Sequence, residues 1–310
     1  MKYRIIVFTS LILITAVAIY VIKYKDFSPS GVNNKFIEVR GRKLSSAEDY
    51  INRGFFYYQS GEYDKAISDF NRAVEINPQH ALAYANRGAI YYRKGQYDEA
   101  ISDFDKAIEI DPGYAKAYFN RGVAYGKGKR EYDRAISDFT KAIEINPGYV
   151  EAYANRGNAY SEIGQHDQAI SDYDEALKIN PRLAKVYNSR GIIYGKDKNQ
   201  HEKAILDFSK AIEIDPTYAE AYANRGVAYG MTGQYEKAIT DYNRSIELNP
   251  RYVEPYLNKA IVCERLGRTQ EALEAYKGFI KYAPPQYGMY IEHAKQRIRE
   301  LEGRGKKKDS

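Results

Sequence analysis

Few side chains in this sequence stand at spacings that chemistry could use. Cys263 is the single cysteine, so neither an internal disulfide nor a multi-thiolate metal site can form. The four histidines, His80, His166, His201 and His293, include no close pair, which leaves a histidine or mixed His/Cys metal cage without support. The run Gly-Lys-Gly-Lys-Arg at 126–130 has the composition of a phosphate loop, but it lacks the P-loop and dinucleotide spacings and no strand pattern launches it. Carboxylates are plentiful, yet those that can be placed recur at a fixed offset, and a residue copied six times is scaffold before it is catalyst. The chain reads as non-enzymatic, with no cofactor and no metal; the alternative, an enzyme with its site in a groove, requires a cluster of unrelated, non-repeating polar residues in one pocket.

What the sequence does show is repetition. Asn/Asp-Pro recurs at Pro78, Pro112, Pro147, Pro181, Pro216 and Pro250, with Ala283-Pro284 as a degenerate seventh, at intervals of 34 or 35 residues. Such a period marks a stack of identical supersecondary units. Aligned on these prolines, the chain divides into 47–80, 81–114, 115–149, 150–183, 184–218, 219–252 and 253–286. Within each unit apolar residues recur at three and four, as Tyr84, Gly88 and Tyr91 and then Ala100, Phe104, Ala107 and Ile108 do. Gly95 separates the two runs, Asp98 puts an acid in the first turn of the second, and Pro112 disfavours helical geometry at Asp111. Each unit is therefore predicted to be a helical hairpin.

Glycine at the eighth position of a unit (Gly54, Gly88, Gly122, Gly157, Gly191, Gly226, with Ala260 last) weakens a helix by ~1 kcal/mol relative to Ala. Its recurrence opposite Ala66, Ala100, Ala135, Ala169, Ala204, Ala238 and Ala272 predicts that the two helices touch there. Thirty-two tyrosines without one tryptophan fit a few aromatic positions copied many times.

These units resemble tetratricopeptide repeats: aromatic, Gly, aromatic, Ala, aromatic, Ala and Pro stand at the family's offsets, with Tyr50, Tyr84, Tyr118, Tyr153, Tyr187, Tyr222 and Tyr256 in place of Trp. The resemblance covers residues 47–286. It implies an all-α, right-handed superhelical solenoid of seven hairpins with a concave face lined by the first helices, and a partner protein or peptide bound there. One departure is systematic, because the residue before the Gly is Arg where the family usually carries Leu. Arg53, Arg87, Arg121, Arg156, Arg190 and Arg225 are each followed sixteen or seventeen residues later by Asp69, Asp103, Asp138, Asp172, Asp207 and Asp241. The seventh unit has Lys259 and Ala275, so both partners change together, as an ion pair between the two helices requires; contact with a ligand is the other reading.

Asn recurs at the sixth position as Asn52, Asn86, Asn120, Asn155, Asn224 and Asn258, with Ser189 breaking the series. In the resembled family this position faces the concave groove, where an amide can donate to and accept from the backbone of an extended peptide. The alternative is bonding within its own repeat. Neighbouring positions vary as a binding surface does, with Lys116, Glu151, Lys185 and Glu220 at the second and Phe119, Asn158, Ile192 and Val227 at the fifth or ninth. The expected peptide-contacting set is these asparagines, Asn158, Lys116 and Lys185. Some members clamp the acidic carboxy-terminal tail of chaperones through a Lys at the fifth position. Ile51, Ala85, Phe119, Ala154, Asn188, Ala223 and Leu257 stand there in this chain, so that partner is not expected.

The third and fifth units each carry one extra residue, near 126–130 and 195–200, read as a lengthened turn or, alternatively, as basic contact patches. His166 and His201 take the place of Tyr63, Tyr97, Tyr132 and Tyr235 and read as packing or turn residues. Cys263, in the place of Tyr91, reads as an inert core thiol.

The net charge of +6 belongs to the ends. Residues 1–46 sum to +6 and 302–310 to +2, leaving the body between them at −2, without the electrostatic footprint of a nucleic-acid binder. Residues 5–22 form an 18-residue charge-free run flanked by Lys2, Arg4, Lys23 and Lys25, with Tyr3, Tyr20, Tyr24 and Phe27 near its ends. A single-pass signal anchor over 1–26 is the expectation, and a cleaved signal peptide with release of an exported accessory factor is the alternative. The flanking charges do not choose the side of the membrane. Residues 27–46 read as a tether, 287–301 as an amphipathic helix capping the last hairpin through Ile291, Ala294, Ile298 and Leu301, and 302–310 as a basic tail.

Overall fold

The structure, a computed structural model, describes residues 44–306. The charge-free run lies outside the described residues, as does most of the tether; within them no helix is long and apolar enough to cross a membrane. The described residues form two compact units that divide between Ile179 and Asn180. The first contains α1 (Ala47–Gln59), α2 (Tyr63–Ile76), α3 (Ala81–Arg93), α4 (Tyr97–Ile110), α5 (Ala115–Val123), α6 (Tyr132–Ile145), α7 (Val150–Glu162) and α8 (His166–Ile179). The second contains α9 (Ala184–Ile192), α10 (His201–Ile214), α11 (Ala219–Met231), α12 (Tyr235–Leu248), α13 (Glu254–Arg265), α14 (Thr269–Tyr282) and, after a short turn of 3-10 helix, α15 (Gly288–Lys306). Consecutive helices pair as hairpins, and hairpins stack on their neighbours within each unit.

The punctuation of these hairpins is chemical. First helices end at Gly61, Gly95, Gly164, Gly233 and Gly267 in the left-handed region, φ 71° to 78°, where a Cβ is disfavoured. Second helices end at an extended Asn or Asp held there by the following proline; Asp111 has φ −130° and ψ 90°. The same side chain then caps the turn: Asp111 Oδ1 accepts from the Gly113 amide at 3.0 Å, and Asn77, Asn146, Asn180, Asp215 and Asn249 repeat this bond. The Asn/Asp-Pro signature is thus a chain reversal with its acceptor built in.

Inside each hairpin the small residues meet large rings. A Cβ placed on Gly88 would stand 2.9 Å from Phe104 Cε1 and 3.1 Å from the Ala100 carbonyl, and one on Gly157 would stand 2.7 Å from Tyr173 Cε1. The alanines opposite are fully buried. The contact expected between the helices is there, and the ring at the next turn of the second helix, rather than the alanine methyl, excludes a larger side chain.

The two insertions do not lengthen the turns. α5 and α9 each run directly into a π-helical segment, Ala124–Lys129 and Ile193–Asp197, so the extra residue is absorbed inside the helix, where it widens one turn. The left-handed position falls on Arg130, φ 57°, and Asn199, φ 51°, instead of glycine. At the carboxy end, α15 begins within the expected 287–301, at Gly288, and runs further, to Lys306. Its Ala294 and Leu301, with Tyr287 before it, are buried against α13 and α14 and close the core of the second unit.

Candidate functional site

The recurrent Arg and Asp do pair. Arg156 donates Nε to Asp172 Oδ2 at 2.8 Å and Nη2 to Oδ1 at 2.7 Å, a two-pronged contact between α7 and α8. The same geometry joins Arg53 to Asp69, Arg87 to Asp103, Arg121 to Asp138, Arg190 to Asp207 and Arg225 to Asp241. The aspartates are buried. Desolvation raises the carboxyls of Asp103, Asp138 and Asp172 despite the guanidinium beside each, while the hydrogen bond to the carboxylate raises Arg87, Arg156 and Arg225. Such a pair costs dearly when halved.

Two further features of this arginine lay beyond the sequence reading. Its third nitrogen reaches the second helix of the hairpin before: Arg87 Nη1 to Asn71 Oδ1 at 2.7 Å, Arg121 Nη1 to Asp105 Oδ1 at 2.6 Å, Arg156 Nη1 to Thr140 Oγ1 at 2.9 Å and Arg225 Nη1 to Ser209 Oγ at 3.0 Å. The signal was a short polar side chain at one place of each second helix. Its flat faces are covered as well, since the Arg156 guanidinium lies 5.7 Å from the Tyr153 ring and 6.0 Å from Tyr160, and Arg225 lies 5.7 Å from both Tyr222 and Tyr229. Tyrosine three before and four after the arginine accounts for much of the tyrosine excess.

The asparagines are placed otherwise than an open groove demands. Asn86, Asn120, Asn155 and Asn258 are buried, and Asn52 and Asn224 are half-buried. Asn155 Nδ2 donates to the Glu151 carbonyl of its own helix at 2.8 Å, and Asn224 Nδ2 donates to Asn188 Oδ1 on the preceding hairpin at 3.0 Å. Asn158 is engaged too, accepting the Tyr173 hydroxyl at 2.7 Å. At the sixth position the amides are therefore buried or half-buried within the array rather than open to a groove. The fifth-position residues Ile51, Ala85, Phe119, Ala154, Asn188, Ala223 and Leu257 are all buried. The first-helix surface that remains accessible is carried by other places: Lys116 and Glu151 half-buried and Lys185 and Glu220 exposed at the second position, and Ile192 and Met231 further along.

Tyrosine also ends several of the sequence repeats, as Tyr114, Tyr218 and Tyr252 do. Burial, followed by the nearby Asp111 charge, pushes the Tyr114 hydroxyl up to about 12, and burial raises Tyr218 and Tyr252 as well. Tyr287 donates to Glu254 Oε1 at 2.5 Å. The open hollow beside Arg121 and Asp138, lined by Tyr118, Ser137, Thr140, Lys141 and Glu144, is framed by groups already paired with one another. Cys263 is fully buried, and burial pushes its thiol up to about 11, which suppresses the reactive thiolate.

Family models described as TPR repeat match residues 56–95, 88–128 and 196–233, and models described as tetratricopeptide repeat match 115–149, 150–183, 219–252 and 241–274. No curated protein matches the chain. Among solved structures, YrrB, described as a TPR protein with an unusual peptide-binding site, is 25% identical with a TM-score of 0.52 over 60% of this chain and 95% of its own. MamA is 29% identical with a TM-score of 0.50 over 54% of this chain and 96% of its own. The carboxy-terminal part of a TPR repeat-containing protein from Cytophaga hutchinsonii shares the fold at 19% identity, with a TM-score of 0.63 over 76% of this chain and 95% of its own.

Proposed function

Since the chain belongs to the tetratricopeptide-repeat family, we propose that it is a non-enzymatic scaffold that holds an extended segment of a partner protein along the face of its first helices. One observation carries this reading: the side chains that repeat are consumed inside the array, while those that differ from unit to unit remain accessible on the first helices. Arg, Asp, Gly and Ala at fixed offsets pair or pack internally. Lys116, Glu151, Lys185, Glu220 and Ile192, by contrast, keep solvent-facing surface and change chemistry from one hairpin to the next. A surface that varies upon a constant frame can discriminate partners. The peptide-binding site ascribed to YrrB agrees with it.

The buried asparagines enter this reading as supports that set the spacing of the first helices, with Lys116 and Lys185 as contacts. The test is Lys185→Glu with Ile192→Ser in the full chain, against Leu206→Ser on the second helix of the same hairpin. The first variant should lose at least about tenfold in partner affinity with unfolding unchanged, and Leu206→Ser should bind normally; equal effects would exclude the first-helix face. The charge-free run at 5–22 supports single-pass tethering of the scaffold to a membrane. Retention of the full chain in membranes through an alkaline wash tests the tether, and intact mass distinguishes it from an exported form released by signal cleavage.

A further inference from the structure

We propose that residues 36–39, Phe-Ile-Glu-Val, dock on the open side of α1, where Glu38 accepts a hydrogen bond from Arg53 Nη1 and the apolar side chains cover Phe56. The first hairpin leaves open a face that the second one fills. On α3, Ala83, Arg87 and Ile90 share one side of the helix, and that side packs on the first hairpin: Ala83 and Ile90 are fully buried in a cluster with Phe70 and Ala73 of α2, and Arg87 Nη1 donates to Asn71 Oδ1 at 2.7 Å. On α1 the same places carry Asp49, Arg53 and Phe56, and among the described residues no helix precedes them. Phe56 is 41% exposed, although its counterparts Ile90, Ala124, Ala159, Ile193, Ala228 and Val262 are all buried. Arg53 binds Asp69 through Nε at 2.7 Å and Nη2 at 2.6 Å, with Tyr50 and Tyr57 against its guanidinium at 5.5 Å and 5.9 Å. Its Nη1 has no acceptor among the described residues.

The chain itself supplies the occupant. Asp49 Oδ2 accepts from the Ser45 and Ser46 amides at 3.2 Å each, which holds the incoming chain at the foot of this face. Glu38 lies within reach, since the residues between it and Ser46 span up to ~26 Å when extended, and Arg53 stands only ~10 Å along α1 from Ser46. A reversal at Gly41 fits within that slack. Glu38 is also the one carboxylate between residues 27 and 47, and Phe36, Ile37 and Val39 around it are apolar. A carboxylate for the guanidinium and apolar side chains for Phe56 are what α2 gives to α3 in kind. A covalently joined segment meets the face at high effective concentration. A second copy of the chain fits less well: Asp49 is already engaged, so two facing Arg53 side chains find no acceptor, and α15 covers the last hairpin, which leaves no open end to stack. Docking closes the amino end of the array as α15 closes the other, and it leaves residues 23–35 as the free tether.

The test places a benzophenone amino acid at position 56 of the full chain, irradiates it and maps the adducts by mass spectrometry. Adducts within residues 36–39 of the same chain, lost in Glu38→Ala and kept in Glu38→Asp, are the expected result. A second measurement leaves the probe out: trypsin should cut after Arg40 about tenfold faster in Phe56→Ser than in the wild type, because the undocked segment is open to the protease. Circular dichroism should show the array equally helical in each variant. Adducts joining two chains, no adduct within residues 36–39, or equal cutting of wild type and Phe56→Ser overturns the docking. Adducts there that survive Glu38→Ala overturn the pairing with Arg53.

Discussion

Arg156 donates Nη1 to Thr140 Oγ1 at 2.9 Å, so the ion pair inside the fourth hairpin also fastens that hairpin to the third. One side chain thus serves fold and stacking at once. The Arg156 side chain is 16% exposed, whereas that of Arg53, in the first hairpin, is 39% exposed. Arg156→Ala should cost ~3 to 5 kcal/mol by leaving Asp172 buried and alone, and Thr140→Ala only ~0.5 to 1.5 kcal/mol. Arg53→Ala leaves Asp69 equally buried but breaks no bond to a preceding hairpin, so it should cost less than Arg156→Ala. Urea unfolding of the three variants checks the order, and absence of coupling in an Arg156/Asp172 double-mutant cycle refutes the pairing.

Tyr173 and Tyr242 occupy equivalent places, but only Tyr173 has a hydroxyl partner. Val227 stands where Asn158 would serve Tyr242, and the buried Tyr242 hydroxyl is unsatisfied. Tyr242→Phe should stabilise the protein by ~1 kcal/mol, whereas Tyr173→Phe should destabilise it by about as much. Opposite signs in thermal unfolding are the expected outcome; a loss in both contradicts the assignment.

Arg130 holds a left-handed conformation that costs ~1 to 2 kcal/mol in a residue with a Cβ. Arg130→Gly should therefore raise stability by ~1 kcal/mol, and Gly233→Ala, where φ is 78°, should lower it. Chemical denaturation of both variants measures the difference.

The pair that seats the capping helix is pH-sensitive. Burial alone would raise the Glu264 carboxyl, but hydrogen bonds from Arg297 and Tyr276, the latter at 2.6 Å, more than offset it and hold it below its ordinary value of 4.5. A carboxyl lowered in the folded state contributes stability that is complete above its unfolded value and is lost as pH falls through the folded one. Amide exchange in 288–306 should therefore quicken selectively as pH drops below about 4.5, after correction for intrinsic rates, and Glu264→Gln should remove that step.

Much of this molecule was legible because the chain repeats. Six copies of Asn/Asp-Pro and of Gly opposite Ala, with a degenerate seventh of each, marked the hairpins, and the joint change to Lys259 and Ala275 marked the ion pair. What escaped was set by contacts between hairpins. The partners of the arginine's third nitrogen vary among Asn71, Asp105, Thr140 and Ser209 and share only an acceptor oxygen. The asparagines looked like groove residues because the resembled family places that position on the groove, and family resemblance does not tell how closely the next helix approaches in this chain. The insertions read as longer turns because nothing in their composition marks a π turn.

The central claim is that partners lie on the first helices, and site-specific photocrosslinking of the full chain tests it most directly. A photoreactive residue placed at Ile192 or Met231 reports the first-helix face, and one at Leu206, 69% exposed on a second helix, reports the other. Covalent adducts with a partner protein at Ile192 and Met231, and none at Leu206, are the predicted result. Adducts at Leu206 with none at the other two would contradict the account.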